Sequence, residues 1–315
     1  MKRRGNRPVE TVVVLMSVFN GAEYLQEQLD SILGQNDIAV HIIVRDDGSN
    51  DRTAEIIASY VERGEPVTYI KGGNIGAANS FMKLVNGCDM ESPYYAFSDH
   101  DDVWEADKLS TAAHALDMED SADTPLMYCS RLAIVDENLN HLGFTRIPKK
   151  PLSFSNALIE TVTAGGTILL NREAFDLLRE SPMSTSPMSN IVMHDSWAYL
   201  LISAFGRIYY DISPKILYRQ HQLNVFGGRH DFAKRWKLRV DRLVNRRNLF
   251  RKQAIHFLNN YKDRLNPSKK QILLGYINYR ESLLRRILFA FSPTVYTQGG
   301  LSNLYMRLLI LLGKL

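Results

Sequence analysis

The sequence predicts an α/β fold in which helices flank a mostly parallel β-sheet. First, β-rich runs alternate with segments of helical periodicity from residue 11 to about residue 115. Second, the run Val12–Val18 is almost wholly apolar, as expected for a parallel strand covered on both faces. Third, polar clusters follow three of the four predicted strands, which is where α/β sheets bind ligands.

The elements of the first half follow in a β-α-β-α-β-α-β order, which predicts right-handed crossovers. Strands are expected at Val12–Val18, Val40–Arg45, Val67–Ile70 and Tyr94–Ser98. Apolar residues at helical spacing predict helices at Ala22–Leu33, over residues 54–61 and around Phe81–Val85. Ser49 or Asn50 is expected to cap the second of these helices.

The second half is less regular. Strands are expected at Leu126–Cys129 and Gly166–Leu170, and helices at Arg172–Arg179 and around Trp197. The composition of Ser181–Asn190 predicts a loop. From residue 229 the sequence becomes helical to its end, with breaks near Asn266-Pro267 and Ser292-Pro293.

The net charge of +4 conceals an uneven distribution. Residues 1–228 hold 19 Lys/Arg against 30 Asp/Glu, whereas residues 229–286 hold 17 against 4. We therefore predict two domains: a main α/β domain over residues 1–228 and a basic, amphipathic helical extension over residues 229–315. Because its basic residues fall among apolar ones such as Trp236, Leu238 and Leu243, an anionic membrane surface is the expected partner of the extension.

Cysteine content and hydropathy indicate the compartment. Cys88 and Cys129 are the chain's two cysteines, which excludes a disulfide scaffold or a four-cysteine zinc module and favours a reducing environment. The strongest apolar runs are five residues long, so no membrane span is expected. The expected location is cytoplasmic, peripheral at the inner membrane face.

The polar clusters at the strand ends are the main functional signal. Ser17 and Asn20 follow the first strand, Asp46-Asp47 the second and Asp99–Asp102 the fourth. Three carboxylates with one histidine between them repel one another unless a cation neutralises them. Mg²⁺ or Mn²⁺, which prefer oxygen ligands, are the expected cations.

Five motifs resemble, in order and spacing, the family 2 glycosyltransferases of the GT-A fold. They are Val14–Asn20, Val44–Asp51, Phe97–Trp104, His194–Trp197 and Tyr218–His221. The last two look like the later motifs of the rhamnosyltransferase-like branch. The resemblance covers about residues 11–228 and implies a GT-A, Rossmann-like sheet that binds a nucleotide-diphosphate sugar.

The resemblance also implies roles for individual residues. Asp101 matches the metal-binding acid of the family's DxD motif, with Asp99 and His221 as further candidate ligands of Mg²⁺ or Mn²⁺. The residues implied to bind the nucleotide sugar are Val18, Asn20, Glu23, Asp46, Asp47, Asp99, His100, Gly166, Arg219 and His221. A carboxylate there can accept a hydrogen bond from a pyrimidine imide, which suits UDP or dTDP.

Asp195 matches the family's catalytic base, which implies a single displacement that inverts the anomeric centre. The family usually shows Glu-Asp at this point, whereas this chain shows His194-Asp195. Asp195 is also placed to cap the helix that carries Trp197. The processive Gln-x-x-Arg-Trp signature is replaced by Arg219-Gln-His221, so we expect transfer of single sugars. The expected acceptor is a glycan or a lipid-linked glycan in cell-surface polysaccharide synthesis.

Three other functions can be compared with the motifs and charge of the sequence. A Rossmann dehydrogenase needs G-x-G-x-x-G after the first strand, and the segment from Ser17 to Glu23 lacks it. A sugar-phosphate nucleotidyltransferase shares the substrates and the sheet but needs a glycine-rich, arginine-bearing loop there, which is also absent. A nucleic-acid-binding protein is the alternative suggested by the basic extension, although the interleaved apolar residues favour lipid, and no nucleic acid is expected as a partner.

Overall fold

The computed structural model describes residues 11–119, 123–181, 191–221 and 249–314, which fall into two compact units. The sheet unit comprises residues 11–119, 123–146, 163–181 and 206–221. The helical unit comprises residues 147–162, 191–205 and 249–314. The C-terminal helices belong to the helical unit. The helical unit also takes two stretches from within the expected main domain, 147–162 and 191–205.

A seven-stranded sheet forms the centre of the sheet unit, in the order β10-β6-β9-β4-β1-β2-β3. The neighbours β4, β1, β2 and β3 are parallel, as is the pair β10 and β6, whereas β9 runs antiparallel to both β4 and β6. These strands are β1 Thr11–Val18, β2 Ala39–Asp46, β3 Val67–Lys71, β4 Tyr94–Ser98, β6 Leu126–Ser130, β9 Leu169–Asn171 and β10 Arg207–Asp211.

A smaller, four-stranded sheet in the order β5-β11-β7-β8 was not predicted from the sequence. Its strands are β5 Val103–Trp104, β7 Ala133–Val135, β8 His141–Phe144 and β11 Ile216–Arg219. β11 pairs antiparallel with β5, which directly follows the acidic cluster after β4. This pairing places the C-terminal end of β11 beside that cluster.

Five helices belong to the sheet unit: α1 Leu25–Leu33, α2 Thr53–Glu62, α3 Ala77–Gly87, α4 Lys108–Asp117 and α6 Arg172–Arg179. Val12, Val14 and Met16 of β1 are fully buried and pack in one core cluster with Leu25 and Leu29 of α1. Burial of β1 along its length therefore confirms the reading of Val12–Val18 as a covered parallel strand.

Two local expectations are corrected by the structure. Gly165–Thr167 form a single 3₁₀ turn, and the strand begins only at Leu169. Asp51 provides the hydrogen-bond acceptor for the first N–H group of α2, because its Oδ1 accepts from the Thr53 N–H at 3.0 Å. Ser49 and Asn50, the expected caps, instead hydrogen-bond to Asn20. The predicted loop Ser181–Asn190 lies almost wholly outside the described residues.

The described part of the helical unit contains α5 Phe154–Ala157, α7 His194–Phe205, α8 over residues 249–261, α9 Pro267–Asn278, α10 Leu283–Ala290 and α11 Gly300–Leu311. Trp197 of α7 and Phe257 of α8 meet edge to face at 5.9 Å, and Phe154 and Tyr261 complete an aromatic core around Phe257. The side-chain Oε1 of Gln253 in α8 accepts a hydrogen bond from the Val192 N–H, just before α7, at 2.9 Å. Among the described residues, no helix is both long and apolar enough to span a bilayer.

Lys108, at the start of α4, is a fully buried lysine in the sheet unit. Its Nζ lies 3.4 Å from the centroid of the Trp104 ring and has no hydrogen-bond acceptor among the described residues. Burial lowers the pKa of Lys108 to about 7, while the face of the Trp104 ring attracts the ammonium form. The lysine therefore loses its proton at a lower pH in the folded chain than in the unfolded one.

This burial predicts a pH-dependent effect of Lys108→Met on stability. Between pH 7 and the ordinary lysine pKa of 10.5, the unfolded chain binds more protons at this group than the folded chain, so wild-type stability rises with pH. We expect Lys108→Met to gain more stability over wild type at pH 7 than at pH 9.5, by about 1–3 kcal/mol. Urea unfolding at the two pH values measures this difference, and an equal difference at both would contradict it.

Candidate active site

The carboxyl ends of β1 and β2 are joined by hydrogen bonds between their loops. Val18 O accepts from Asp47 N–H at 2.8 Å, and Asn20 N–H donates to Ser49 Oγ at 2.9 Å. Asn20 adopts a left-handed backbone with φ 50°, which asparagine tolerates better than most residues. Phe19 and Asn20 are exposed at this edge, so the turn after β1 forms an open, polar rim of the sheet.

Asp46 and Asp47, expected to line the nucleotide, are both buried and bond to the protein itself. Asp47 accepts from Arg45 Nη1 at 2.5 Å and from the N–H groups of residues 75 and 76 at 2.9 and 2.8 Å. Asp46 accepts from Ser49 N–H at 2.8 Å. These bonds fix the loops after β2 and β3. A role for either carboxylate toward the nucleotide stays a prediction.

His100 and Gly21 pack against each other where the loops after β1 and β4 meet. A Cβ on Gly21 would lie 2.5 Å from His100 Cδ2, so a larger residue would displace the histidine ring. The absence of a side chain at Gly21 therefore lets the acidic loop after β4, residues 99–102, approach β1. Glu23, two residues further on, is exposed beside Tyr24.

The acidic loop after β4 brings its negative charges close together. Burial and the neighbouring charges of Asp101 and Asp99 raise the pKa of Asp102 well above its usual range. Asp102 Oδ1 accepts the Arg219 N–H at 3.1 Å, which fixes the loop to β11. Asp99 and Asp101 are half-buried, so they are accessible to a cation while Asp102 is not.

Asp101 and His221 form the pair best suited to hold a metal. Asp101 Oδ2 and His221 Nε2 lie 3.0 Å apart. This is a hydrogen-bond distance, and it places a carboxylate oxygen and an imidazole nitrogen where both would be available to an ion such as Mg²⁺ or Mn²⁺. Among the described residues no three His, Cys, Asp or Glu side chains form a ready metal cage. Mg²⁺ sites commonly use one or two carboxylates and complete their shell with substrate phosphates and water.

Arg219 is buried beneath this pair, with all three guanidinium nitrogens bonded inside the sheet unit. Its Nε donates to the Asp101 carbonyl at 3.0 Å, its Nη1 to the Glu137 carbonyl at 2.6 Å, and its Nη2 to the Glu27 carboxylate. The guanidinium also stacks on the Tyr24 ring at 4.6 Å. The structure thus gives Arg219 a positioning role.

Tyr24 and Glu27 were missed in the sequence. Both lie at the start of α1, and the Tyr24 ring centroid is 5.0 Å from that of His221. Burial, together with a hydrogen bond to Glu23, raises the pKa of Tyr24 to about 12. An aromatic and an acidic residue at the first turn of a helix give no local signal of a site. Their role appears only once β11 is paired with β5, the strand that follows the acidic cluster after β4.

Gly166 lies in the 3₁₀ turn before β9 and is buried. A Cβ there would lie 3.5 Å from Ile216 Cδ1 and 3.7 Å from Asp102 Oδ2, both ordinary contacts. Gly166 is therefore a near neighbour of the acidic loop, and the packing around it does not itself demand glycine. Its expected contact with the donor sugar stays a prediction.

Asp195 belongs to the helical unit and is the second residue of α7. It is half-buried, and its Oδ1 accepts from the Ser196 N–H at 2.6 Å. It therefore lies inside the first turn, where the helix dipole favours a carboxylate, and is not the residue preceding the helix as a cap would be. Burial lowers the pKa of its neighbour His194 to about 3, which keeps that imidazole neutral.

Comparison with known proteins agrees with these features. Residues 13–178 match the family described as Glycosyl transferase family 2. The dTDP-rhamnosyl transferase RfbG of Shigella flexneri is 27% identical over 235 residues, which cover 70% of this chain and 77% of that protein. An uncharacterized glycosyltransferase of Rickettsia typhi is 29% identical over 175 residues, and the chain spans only 52% of its length.

Solved structures of similar fold are glycosyltransferases too. S. aureus TarS in complex with UDP has a TM-score of 0.54 and 17% identity, with 90% of this chain and 75% of that chain covered. The mannosyltransferase PcManGT from Pyrobaculum calidifontis, in complex with GDP-Man and Mn²⁺, has a TM-score of 0.51 and 17% identity, with 90% and 72% covered. At this identity the likeness shows a common fold, which is that of the GT-A glycosyltransferases.

Proposed function

Because this chain belongs to glycosyl transferase family 2, we propose that it transfers a single sugar from a UDP- or dTDP-sugar to a glycan or lipid-linked acceptor. The proposed transfer inverts the anomeric centre and serves cell-surface polysaccharide synthesis. The name of the Shigella relative, a dTDP-rhamnosyl transferase, favours a dTDP-sugar within this pair of donors. The 3.0 Å pair of Asp101 and His221 at the carboxyl end of β4 is the observation that carries the proposal.

Asp101 and His221 are the residues that would hold Mg²⁺ or Mn²⁺, with Asp99 close to the same position. When bound, such an ion supplies Lewis-acid stabilisation of the negative charge that develops on a leaving diphosphate. Burial, and then the nearby charges of Asp101 and Asp99, raise the pKa of Asp102, and a cation on Asp101 would reduce the repulsive part of this effect. The complex of PcManGT with Mn²⁺ supports it by analogy of fold.

The chain's own residues supply the remaining functions. Arg219 holds the backbone of Asp101 in place through the Asp101 carbonyl. The exposed turn after β1, with Asn20 and Glu23, provides polar groups at the same edge of the sheet for the nucleotide. Asp195, assigned from its place in the family pattern, removes the proton of the acceptor hydroxyl as it attacks the sugar. Burial lowers the pKa of His194 to about 3, so its imidazole is a poor proton acceptor, which leaves Asp195 as the acceptor of the motif.

The positioning role of Arg219 predicts the outcome of Arg219→Lys. A lysine keeps the positive charge but cannot form the three-way set of bonds to Asp101, Glu137 and Glu27. We expect the free energy of unfolding to fall by about 1–3 kcal/mol, because the carbonyl oxygens of Asp101 and Glu137 lose the donors that the buried Arg219 provides. Urea unfolding and nucleotide titration are measured on the same preparation. Unchanged stability with lost nucleotide affinity would show instead that Arg219 contacts the diphosphate directly.

A donor-hydrolysis screen tests the proposed function. Many glycosyltransferases cleave their own donor slowly in water, so the acceptor need not be known. The full chain is incubated with UDP-, dTDP- and GDP-sugars in the presence of Mn²⁺ or Mg²⁺, and the release of the nucleoside diphosphate is measured. We expect release from a UDP- or dTDP-sugar that depends on the metal. Release from GDP-sugars alone would overturn the proposed donor class, and release of a nucleoside monophosphate would contradict glycosyl transfer.

A further inference from the structure

Helices α10 and α11 of the helical unit each expose a stripe of large apolar side chains. On α10 and the residue after it, Leu283, Leu284, Ile287, Leu288 and Phe291 are between 41% and 69% exposed. On α11 and the residue after it, Leu301, Leu304, Tyr305, Leu308 and Leu312 are between 44% and 87% exposed. Successive members of each stripe are one, three or four residues apart, a helical repeat that places them on one side of their helix.

Each helix already buries its other side within the helical unit. Phe289 and Ala290 of α10 are buried, as are Met306 and Ile310 of α11. The exposed stripes are therefore additional to the faces that hold the helices in place. Ten such side chains present on the order of 1,000 Å², more than the roughly 300–600 Å² of the largest apolar patch on a typical monomer.

The two helices are antiparallel neighbours. Arg307 of α11 donates to the carbonyl oxygens of Ala290 and Ser292 at the end of α10. At the opposite end, a Cβ on Gly313 would lie 2.9 Å from the Arg286 guanidinium. The stripes are thus carried side by side by one helical hairpin.

The charge of the described C-terminal residues indicates which kind of partner this hairpin binds. Residues 249–314 contain 11 Lys/Arg and 2 Asp/Glu, and no acidic residue follows Glu281. A second copy of the chain would bring like charges together, which opposes association. An anionic lipid leaflet instead offers phosphates for the arginines and acyl chains for the apolar stripes.

We propose that the α10–α11 hairpin is a membrane-binding surface that inserts its two apolar stripes into an anionic leaflet. This hairpin lies within the extension of residues 229–315 for which the sequence predicts an anionic membrane partner, and the proposal assigns that role to its two exposed apolar stripes. Arg285, whose exposed side chain pairs with Glu281, lies among the apolar residues of α10 and adds attraction to lipid phosphate. The proposal concerns attachment alone and stands independently of the proposed transfer, since it is tested without a sugar donor.

Vesicle sedimentation of the full chain tests the proposal. Vesicles of phosphatidylcholine with and without phosphatidylglycerol are used at low and high salt. We expect the wild-type chain to bind the anionic vesicles at low salt. We expect the double variant Leu284→Gln/Leu288→Gln to bind them at least tenfold more weakly. This variant keeps the helix propensity but replaces two apolar side chains that are 65% and 64% exposed. The matched control is Met118→Gln/Ile212→Gln, which replaces residues of the sheet unit that are 70% and 60% exposed.

A second pair of variants isolates the charge. Arg285→Gln and Arg52→Gln each remove the arginine of an exposed ion pair, with Glu281 and Glu55 respectively. We expect only Arg285→Gln to weaken vesicle binding. Full binding by the double leucine variant, or equal losses in it and in the Met118/Ile212 control, would overturn the proposal. So would a wild-type dimer that the leucine variant dissociates and that ignores vesicles.

Discussion

We expect Asp101→Asn to lower the turnover of the nucleotide sugar by about 10²–10³-fold, the usual loss when a group that stabilises developing negative charge is removed, because the variant would lose the cation that supplies this stabilisation. Asn is nearly isosteric but neutral, so the Asp101–His221 pair loses the charge with which it would hold a divalent cation. Nucleotide diphosphate release from the active donor of the hydrolysis screen measures the change. Excess chelator should lower wild-type activity similarly, and added Mn²⁺ or Mg²⁺ should restore it.

Asp37→Asn is the matched control for this variant. Asp37 is exposed in the sheet unit and has φ 62°, a conformation that asparagine adopts readily. We expect it to retain wild-type activity and metal dependence. If the wild-type chain keeps full activity in excess chelator, the metal-binding role of Asp101 is wrong.

Asp195→Asn is expected to lower kcat by about 10²–10⁴-fold while donor affinity stays unchanged. The amide cannot accept the proton of the acceptor hydroxyl, but it can still accept the hydrogen bond from Ser196 N–H that Asp195 makes. Steady-state transfer kinetics give kcat, and titration with the nucleotide gives the affinity. The loss should therefore appear in the chemical step.

Glu173→Gln controls for the helix dipole, because Glu173 is likewise an acid in the first turn of its helix, α6. We expect this variant to lose neither activity nor affinity. Transfer by Asp195→Asn at a rate near that of wild type, or a product that retains the anomeric configuration, would show that Asp195 is not the base of an inverting reaction.

The parallel part of the sheet could be predicted because a strand covered on both faces needs a continuous apolar run. Val12–Val18 and Tyr94–Ser98 are such runs, and the structure confirms both. The second sheet could not be predicted. β5 is two residues long, and β11 four, too short to show the alternation of a half-buried strand. The placement of Arg219 beneath Asp101 depends on that sheet.

The roles of buried carboxylates also could not be predicted from the sequence. Asp47 stands at a strand end like a ligand-binding residue, yet its partners include N–H groups 28 and 29 positions away. Only the path of the chain after β3 decides this. In the helical unit, the sequence predicts amphipathic helices, but it cannot distinguish the apolar residues that pack on the protein from those left exposed.

Calorimetric titration with dTDP and UDP tests the central claim, that the carboxyl edge of β1, β2 and β4 binds a metal–nucleotide diphosphate. The full chain and Asp101→Asn are each titrated with and without Mn²⁺. We predict that wild type binds one of the two nucleotides at least tenfold more tightly with Mn²⁺, and that Asp101→Asn loses this gain. Equal affinity with and without the metal, or an unchanged metal effect in Asp101→Asn, would contradict the account.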